Sequence, residues 1–325
     1  MTAQAAWQAA YGWLCHTRRH APPNADVWHL RFYWATRGDD VLAQVQAGQY
    51  RLSPMQGIGQ GQGRLAVWCA QDALVLKWVT LQLNQRLPTH VRCAHLKGRG
   101  GAPASVGEVG AALRTGRYAF VYRTDIRGYY RHIRKAAVVS LVGRYVDDPV
   151  LLDLVHQYVH YSVETGGEFY TPKAGICRGC SLSPLIGAAV LYHVDQYFDA
   201  QAGVFYGRYM DDFVVLAPGR WPLRRAVKAL HRYFTLDGFE AHPDKTQLGR
   251  IADGFEWMGV WFSSAEPTVG LRALNSHRER RVRLYEQARA RGQSHEEAGA
   301  RVRAYEARWQ QWAARMLRAA RNDQS

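Results

Sequence analysis

Adjacent carboxylates repel one another unless a divalent cation, a basic side chain or water screens them, and hard cations such as Mg²⁺ take carboxylate oxygens as ligands. Asp211 and Asp212 are such a pair, within Phe205-Tyr206-Gly207-Arg208-Tyr209-Met210-Asp211-Asp212-Phe213-Val214-Val215-Leu216. The aromatic, turn-permitting run before them and the β-branched apolar run after them read as strand, tight turn, strand, with both acids at the tip. Taken alone, the pair is either a polar turn or a metal site. A second segment, Tyr118 to Ile133, moves the balance towards metal. Alternating aromatic and aliphatic residues lead there into Asp125, followed by Gly128 and Tyr129-Tyr130, the pattern of a central strand that delivers a carboxylate at its C-terminal end. One aspartate from each of two neighbouring strands is the geometry of a two-metal site, in which cations roughly 3.5 to 4 Å apart serve an in-line displacement. Phosphoryl transfer needs little beyond positioning and charge.

Together these segments resemble the motifs of reverse transcriptases, within the right-handed palm polymerase superfamily. Tyr209-Met210-Asp211-Asp212 matches the Tyr-X-Asp-Asp signature, and Asp125 with an aromatic five residues later matches the first catalytic motif. Gly175-Ile176-Cys177-Arg178-Gly179-Cys180-Ser181-Leu182-Ser183-Pro184-Leu185 resembles the Gly-rich motif that contacts template and nucleotide, with a helical run from Ile186 to Phe198 after it. His242-Pro243-Asp244-Lys245-Thr246 resembles the lysine-bearing motif, and Phe255 to Phe262 the hairpin that grips the primer. Upstream, Gly61 to Trp68 with Gln71 to Val75 looks like the fingers segment of the bacterial branch, and His95 to Gly101 like its Gly-rich connection. The resemblance covers roughly residues 50 to 262 and is closest to group II intron and retron-like enzymes. Ser183-Pro184 argues against the diversity-generating subgroup, which usually carries Ser-Gln there.

The resemblance implies an α+β right-hand polymerase of fingers, palm and thumb, with an antiparallel palm sheet carrying the Tyr-Met-Asp-Asp hairpin. It also implies two Mg²⁺ ions, with Mn²⁺ as a substitute, held by Asp125, Asp211, Asp212 and the main-chain carbonyl of Ile126. Lys245 would orient the phosphates or protonate the departing pyrophosphate. Arg64 would neutralise the triphosphate, since a planar guanidinium suits phosphate oxygens. Tyr130 would sit under the sugar and reject a 2′-hydroxyl, while Gly179 and Ser183 would let backbone approach template and nucleotide. Against these stand plainer readings: Tyr130 as a core aromatic and Arg64 as a surface cation.

One departure concerns nucleotide choice. Where most of the family has Pro-Gln-Gly, this chain has Cys177-Arg178-Gly179. Glutamine donates and accepts, whereas arginine only donates and is always charged, so Arg178 would meet a template phosphate, the triphosphate, or mark an altered preference. The same residues create Cys177-X-X-Cys180, but the other cysteines are single, at 15, 69 and 93. A zinc site lacks its remaining ligands, and reduced thiols of a cytoplasmic protein are expected.

Composition agrees with a polyanion partner: 42 Lys plus Arg against 27 Asp plus Glu give a net charge of +15 over 325 residues. A solvated basic surface would give the same balance. No apolar run approaches the ~18 residues of a membrane span, and the first 30 residues lack a signal-peptide centre.

Three regions are expected: a basic helical extension over 1–48, fingers and palm over 49–262 with the palm core about 117–133 and 181–262, and a helical thumb over 263–325. The periodicity predicts helices from Thr2 to about Arg18, about Ala25 to Gly48, Asp72 to Leu87, Pro149 to about Val163, Trp221 to Leu236, Leu271 to Ala290 and Ser294 to Arg321, with a flexible join at Gly98 to Gly101. Expected partners are an RNA template, a DNA or RNA primer, deoxynucleoside triphosphates, and a cognate structured RNA or accessory protein, with no membrane. The expected activity is RNA-directed DNA synthesis for a mobile element or a defence system. Two alternatives stand beside it: a maturase-type RNA-binding splicing cofactor, disfavoured by the short C-terminal tail, and a template-independent or protein-primed nucleotidyltransferase of phage defence.

Overall fold

The structure is a computed structural model that describes residues 2–58 and 65–321. The chain forms two compact units, one of Met1–His90 with Gly128–His193, the other of Val91–Arg127 with Val194–Ser325. Helix α1 (Ala3–Thr17) starts where the Thr2 hydroxyl accepts the Ala5 N–H. Helices α2 (Asp26–Phe32) and α3 (Trp34–Gln46) replace the single helix expected from about Ala25 to Gly48. The break falls at Tyr33 (φ −93°, ψ 9°). It turns Trp34 onto Tyr11, whose rings stack 3.7 Å apart at 1°. Strands β1 (Met55–Ile58) and β2 (Leu65–Val67) lead to α4 (Ala70–Leu83), which starts two residues before the predicted Asp72 because the Cys69 sulfur caps it by accepting the Asp72 N–H.

Helix α5 (Gly101–Arg114) follows directly on the expected flexible join, and the periodicity did not predict it. Its glycines thin out the apolar pattern for a packing reason. A Cβ at Gly107 or Gly110 would stand 3.3 or 2.1 Å from the carbonyls of Ala319 and Ala320 near the C-terminus.

After α5 come β3 (Phe120–Asp125), α6 (Tyr129–His132), α7 (Lys135–Gly143) and α8 (Pro149–Val159). The Asp148 carboxylate caps α8 by accepting the N–H groups of Val150 and Leu151. This helix ends before the predicted Val163, because Val163 opens β4 (Val163–Thr165), hairpinned to β5 (Glu168–Tyr170) through Gly166 and Gly167 at φ +62° and +87°. The run predicted as one helix to Phe198 is two, α9 (Ser183–Val190) and α10 (Tyr192–Asp199). Next are β6 (Phe205–Tyr209), β7 (Asp212–Ala217), α11 (Arg220–Asp237), β8 (Gln247–Arg250), β9 (Phe255–Trp257), β10 (Val260–Phe262) and β11 (Thr268–Val269). The last two helices are α12 (Leu271–Ala290) and α13 (His295–Arg321).

The first unit holds a sheet of order β2-β1-β4-β5, in which β1 and β4 run parallel. In the second unit, β6-β7-β3-β8 form an antiparallel sheet. Buried Leu223, Leu230 and Phe234 of α11 face it, with the Phe234 ring 5.2 Å from that of Phe213. Val121, Val214 and Leu216 from this sheet share a core with Val106 and Val109 of α5, Phe255, Trp257 and Phe262 of a three-stranded sheet of order β11-β10-β9, and Met316 of α13. Burial of this kind stabilises by roughly 25 cal/mol per Å² of apolar surface, which keeps the sheet a rigid platform for its ends.

Candidate active site

At one end of the four-stranded sheet, Tyr209 pairs with Asp212 and only Met210 and Asp211 lie between β6 and β7. So tight a hairpin needs positive φ. Met210 adopts φ +61° although it is not glycine, at a cost of about 1 to 2 kcal/mol. Both of its backbone groups are held. Its N–H donates to His95 Nδ1 at 3.1 Å, and its carbonyl accepts Arg208 Nη1 at 2.9 Å. His95 therefore has an unprotonated Nδ1. Arg208 is fully buried, and its charge is met by equally buried Asp195: Nε donates to Oδ1 at 2.7 Å, and Nη2 donates to Oδ2. The Tyr206 hydroxyl donates to the same Oδ1 at 2.7 Å.

Across the sheet, Asp125 of β3 stands opposite Asp212 of β7. The Ile126 N–H donates to the Asp211 carbonyl at 3.1 Å. On its other flank Ile126 bridges Ala241 through the bonds of its neighbours, His242 N–H to the Asp125 carbonyl at 2.7 Å and Arg127 N–H to the Glu240 carbonyl at 2.8 Å. In antiparallel pairing the N–H and C=O of one residue leave the strand on the same side. The Ile126 carbonyl is thus directed towards the Asp211 side.

The charges interact strongly. Burial pushes the Asp212 carboxyl up to about 7, with help from the negative charges of Asp125 and Asp211 and against Arg123 and Lys245. Lys245 Nζ donates to Asp125 Oδ2 at 2.5 Å from a 3₁₀ turn, Pro243–Lys245. Arg123 Nε and His242 Nδ1 are buried without a hydrogen-bond partner among the described residues. A hard divalent cation fits this set, since the carboxylates offer only oxygen ligands and the buried Asp212 carboxylate has negative neighbours to be screened. Among the described residues, no group of three or more His, Cys, Asp or Glu is already arranged to hold a metal ion.

The remaining predicted residues lie in the other unit, except Arg64, which is outside the described residues. Tyr130 is half-buried, and its ring lies 5.4 Å from that of Tyr129, whose hydroxyl donates to the Gly187 carbonyl at 2.7 Å. The Gly-rich segment is stitched to this aromatic pair by main chain, Ile176 N–H to the Tyr130 carbonyl at 2.9 Å and Gly175 N–H to the Ile133 carbonyl at 3.0 Å. Gly175 has φ +84°, and a Cβ there would lie 2.8 Å from the Tyr130 carbonyl oxygen.

Ser183 is buried and engaged within the protein: its hydroxyl donates to the Cys177 carbonyl at 2.7 Å and accepts the Tyr158 hydroxyl at 2.9 Å. Gly179 has φ +76° with open space around it, and Arg178 is exposed. Arg131, Lys173, Arg178, Tyr161 and Tyr170 line a cavity of about 1070 Å³ within this unit. Cys177 and Cys180 are buried free thiols, and the Cys177 sulfur accepts the Trp68 indole N–H at 3.3 Å.

Arg208, Asp195 and His95 carry no motif that marks them as braces of the turn. The signal was an arginine inside an otherwise apolar strand next to an acidic turn, but its partner on α10 is not marked by any spacing.

The chain matches the model of the reverse transcriptase (RNA-dependent DNA polymerase) family over residues 70–262, and it belongs to that family. It is similar to the retron Mx65 reverse transcriptase of Myxococcus xanthus, 28% identical over 207 residues that make up 60% of this chain and 47% of that protein. The chain spans about half the length of this curated relative.

Proposed function

We propose that this protein is an RNA-directed DNA polymerase that adds deoxynucleotides to a primer 3′-hydroxyl. The observation carrying this reading is the register of Asp125 against Asp212, with Asp211 on the braced turn beside them. Asp125, Asp211 and the Ile126 carbonyl would hold two Mg²⁺ ions, or Mn²⁺, with Asp212 tuning the set. When bound, these ions activate the attacking hydroxyl and neutralise charge on the triphosphate.

Lys245, which donates to Asp125 Oδ2, would orient the triphosphate or give a proton to departing pyrophosphate, and Asp125 would be among the residues holding the cations. Tyr130 excludes a 2′-hydroxyl by bulk. Arg178 meets phosphate on template or triphosphate, and Arg64 neutralises the triphosphate. Gly179 and Ser183 let the backbone approach template and nucleotide closely, Ser183 with its hydroxyl turned inward to Cys177 and Tyr158. In this reading residues 1–48 are a basic extension, 49–262 the fingers and palm, and 263–325 a thumb. RNA template, DNA or RNA primer and deoxynucleoside triphosphates are the substrates.

The retron relative supports a mobile-element or defence setting with a cognate structured RNA or an accessory protein, and five free thiols support the cytoplasm. No helix among the described residues is long and apolar enough to cross a membrane. Primer extension on an RNA template with a DNA primer, Mg²⁺ and deoxynucleotides tests the proposal beside Asp211→Ala. Extension abolished by the substitution is expected. No extension by intact, template-bound protein overturns it, and product linked to protein moves the assignment to protein priming.

A further inference from the structure

Helix α11 carries a cationic face that neither the fold nor the proposed chemistry uses. Trp221, Arg224, Arg225, Lys228 and Arg232 recur at three- and four-residue steps opposite buried Leu223, Leu230 and Phe234, so they share one solvent face. Trp221 is 69% exposed, with the Arg224 guanidinium 5.4 Å from its ring. Arg250 of edge strand β8 and Arg220 line, with Phe120, Leu248 and Asp253, a cavity of about 600 Å³ beside Trp221. Among the described residues none of Arg220, Arg224, Arg225, Lys228, Arg232 and Arg250 pairs with a carboxylate. The arrangement works against the helix itself. Like charges four residues apart repel, and cations in the first turns oppose the helix dipole.

We propose that this face binds single-stranded nucleic acid at a site separate from the carboxylates. Phe120 pairs with Arg250 at the end of β3 opposite Asp125, which places the two about 17 Å apart along the strand. From Trp221 to Arg232 the face runs about 16 Å, the span of four to five stacked nucleotides at about 3.4 Å each. An exposed indole beside guanidinium groups takes an unpaired base on its ring and phosphates on the cations. A duplex hides its base faces and would leave Trp221 unused. An acidic protein would meet the charges but not the ring.

The test uses intact protein without Mg²⁺ or deoxynucleotides, with a dye-labelled 12-nucleotide RNA carrying 4-thiouridine. Crosslinking should map to the Trp221–Arg232 segment. In Arg224→Ala/Lys228→Ala/Arg232→Ala the Kd should rise about tenfold or more, and the salt dependence should fall by about 2 in log–log slope, about 0.7 for each phosphate that is no longer neutralised. Trp221→Ala should weaken binding about fivefold or more and leave the slope unchanged. The triple variant should melt at or above the temperature of the parent protein, since its substitutions relieve repulsion.

Wild-type affinity and slope in the triple variant, crosslinks confined to other segments, or equal displacement by polyglutamate would each overturn the proposal. The last outcome would assign the face to an acidic protein. Extension of a short pre-annealed primer–template by the triple variant should stay at the parent level. A protein that extends primers but does not bind here loses only this site, and one that binds here but does not extend loses only the polymerase reading.

Discussion

The turn carrying Asp211 and the Gly-rich segment around Arg178 are both irregular backbone, yet they are held in opposite ways. The turn is fixed by charge, through buried Arg208 and Asp195, and by an imidazole that accepts the Met210 N–H. The Gly-rich segment is fixed by main-chain bonds to Tyr130 and Ile133, by a glycine at φ +84°, and by one buried hydroxyl. Acidic groups that must stay crowded need a scaffold that resists their repulsion. An exposed loop without crowded like charges needs only a fixed shape.

Substitutions that break each support separate these two modes. Arg208→Met leaves Asp195 buried without its cation and should cost about 3 to 5 kcal/mol, read as a lower denaturation midpoint, with much of the loss recovered in Arg208→Met/Asp195→Leu. A near-neutral Arg208→Met would mean that charge does not brace the turn. In the loop, Gly175→Ala forces a Cβ to within 2.8 Å of main-chain oxygen at positive φ, and about 2 kcal/mol should be lost on a steric rather than electrostatic basis. That loss should not vary with salt, so a salt-dependent loss would erase the contrast.

Acidity gives a sharper separation. The Asp212 carboxyl titrates near 7 when folded but near its ordinary value of 3.8 when unfolded, so between those values the folded state holds the extra proton. Stability should therefore fall as pH rises from about 4 to 7 without metal, and Asp212→Asn should flatten that slope in thermal melts. Mg²⁺ should accordingly raise the melting temperature more at pH 7.5 than at pH 5. The smallest effect is expected at His95. His95→Phe removes an acceptor worth about 1 kcal/mol and should lower kcat with little change in KM, whereas His95→Gln, which keeps an acceptor, should restore kcat.

The acidic strands were legible because alternation, turn and carboxylates coincide in one short stretch. Their braces were not, because Asp195 and Arg208 become a pair only once α10 and β6 are folded. Helix α5 was hidden for a related reason: glycines that read as a loop are there for close packing. The split at Tyr33 reflects ring stacking with Tyr11, a tertiary preference that helical periodicity does not encode. Nothing in the local sequence shows that the Ser183 hydroxyl is engaged by Cys177 and Tyr158, since those contacts form only once the Gly-rich segment and α8 are folded.

The glycine contact between α5 and α13 also acts mechanically. Helix α13 is 27 residues long, and Gly107, Gly110 and the bond from Arg114 Nη1 to the Ala320 carbonyl at 2.8 Å grip it at its last turn. From that grip to His295 the helix extends about 38 Å. Buried Met316 and half-buried Trp312, the latter against Gly259, hold the same end, and α12 runs alongside the rest, so a tilt of about 10° at the held end would carry His295 through about 7 Å. A methyl group at Gly110 would therefore be felt most at the opposite end of the helix, around Tyr285 and His295, far from the atom that was added.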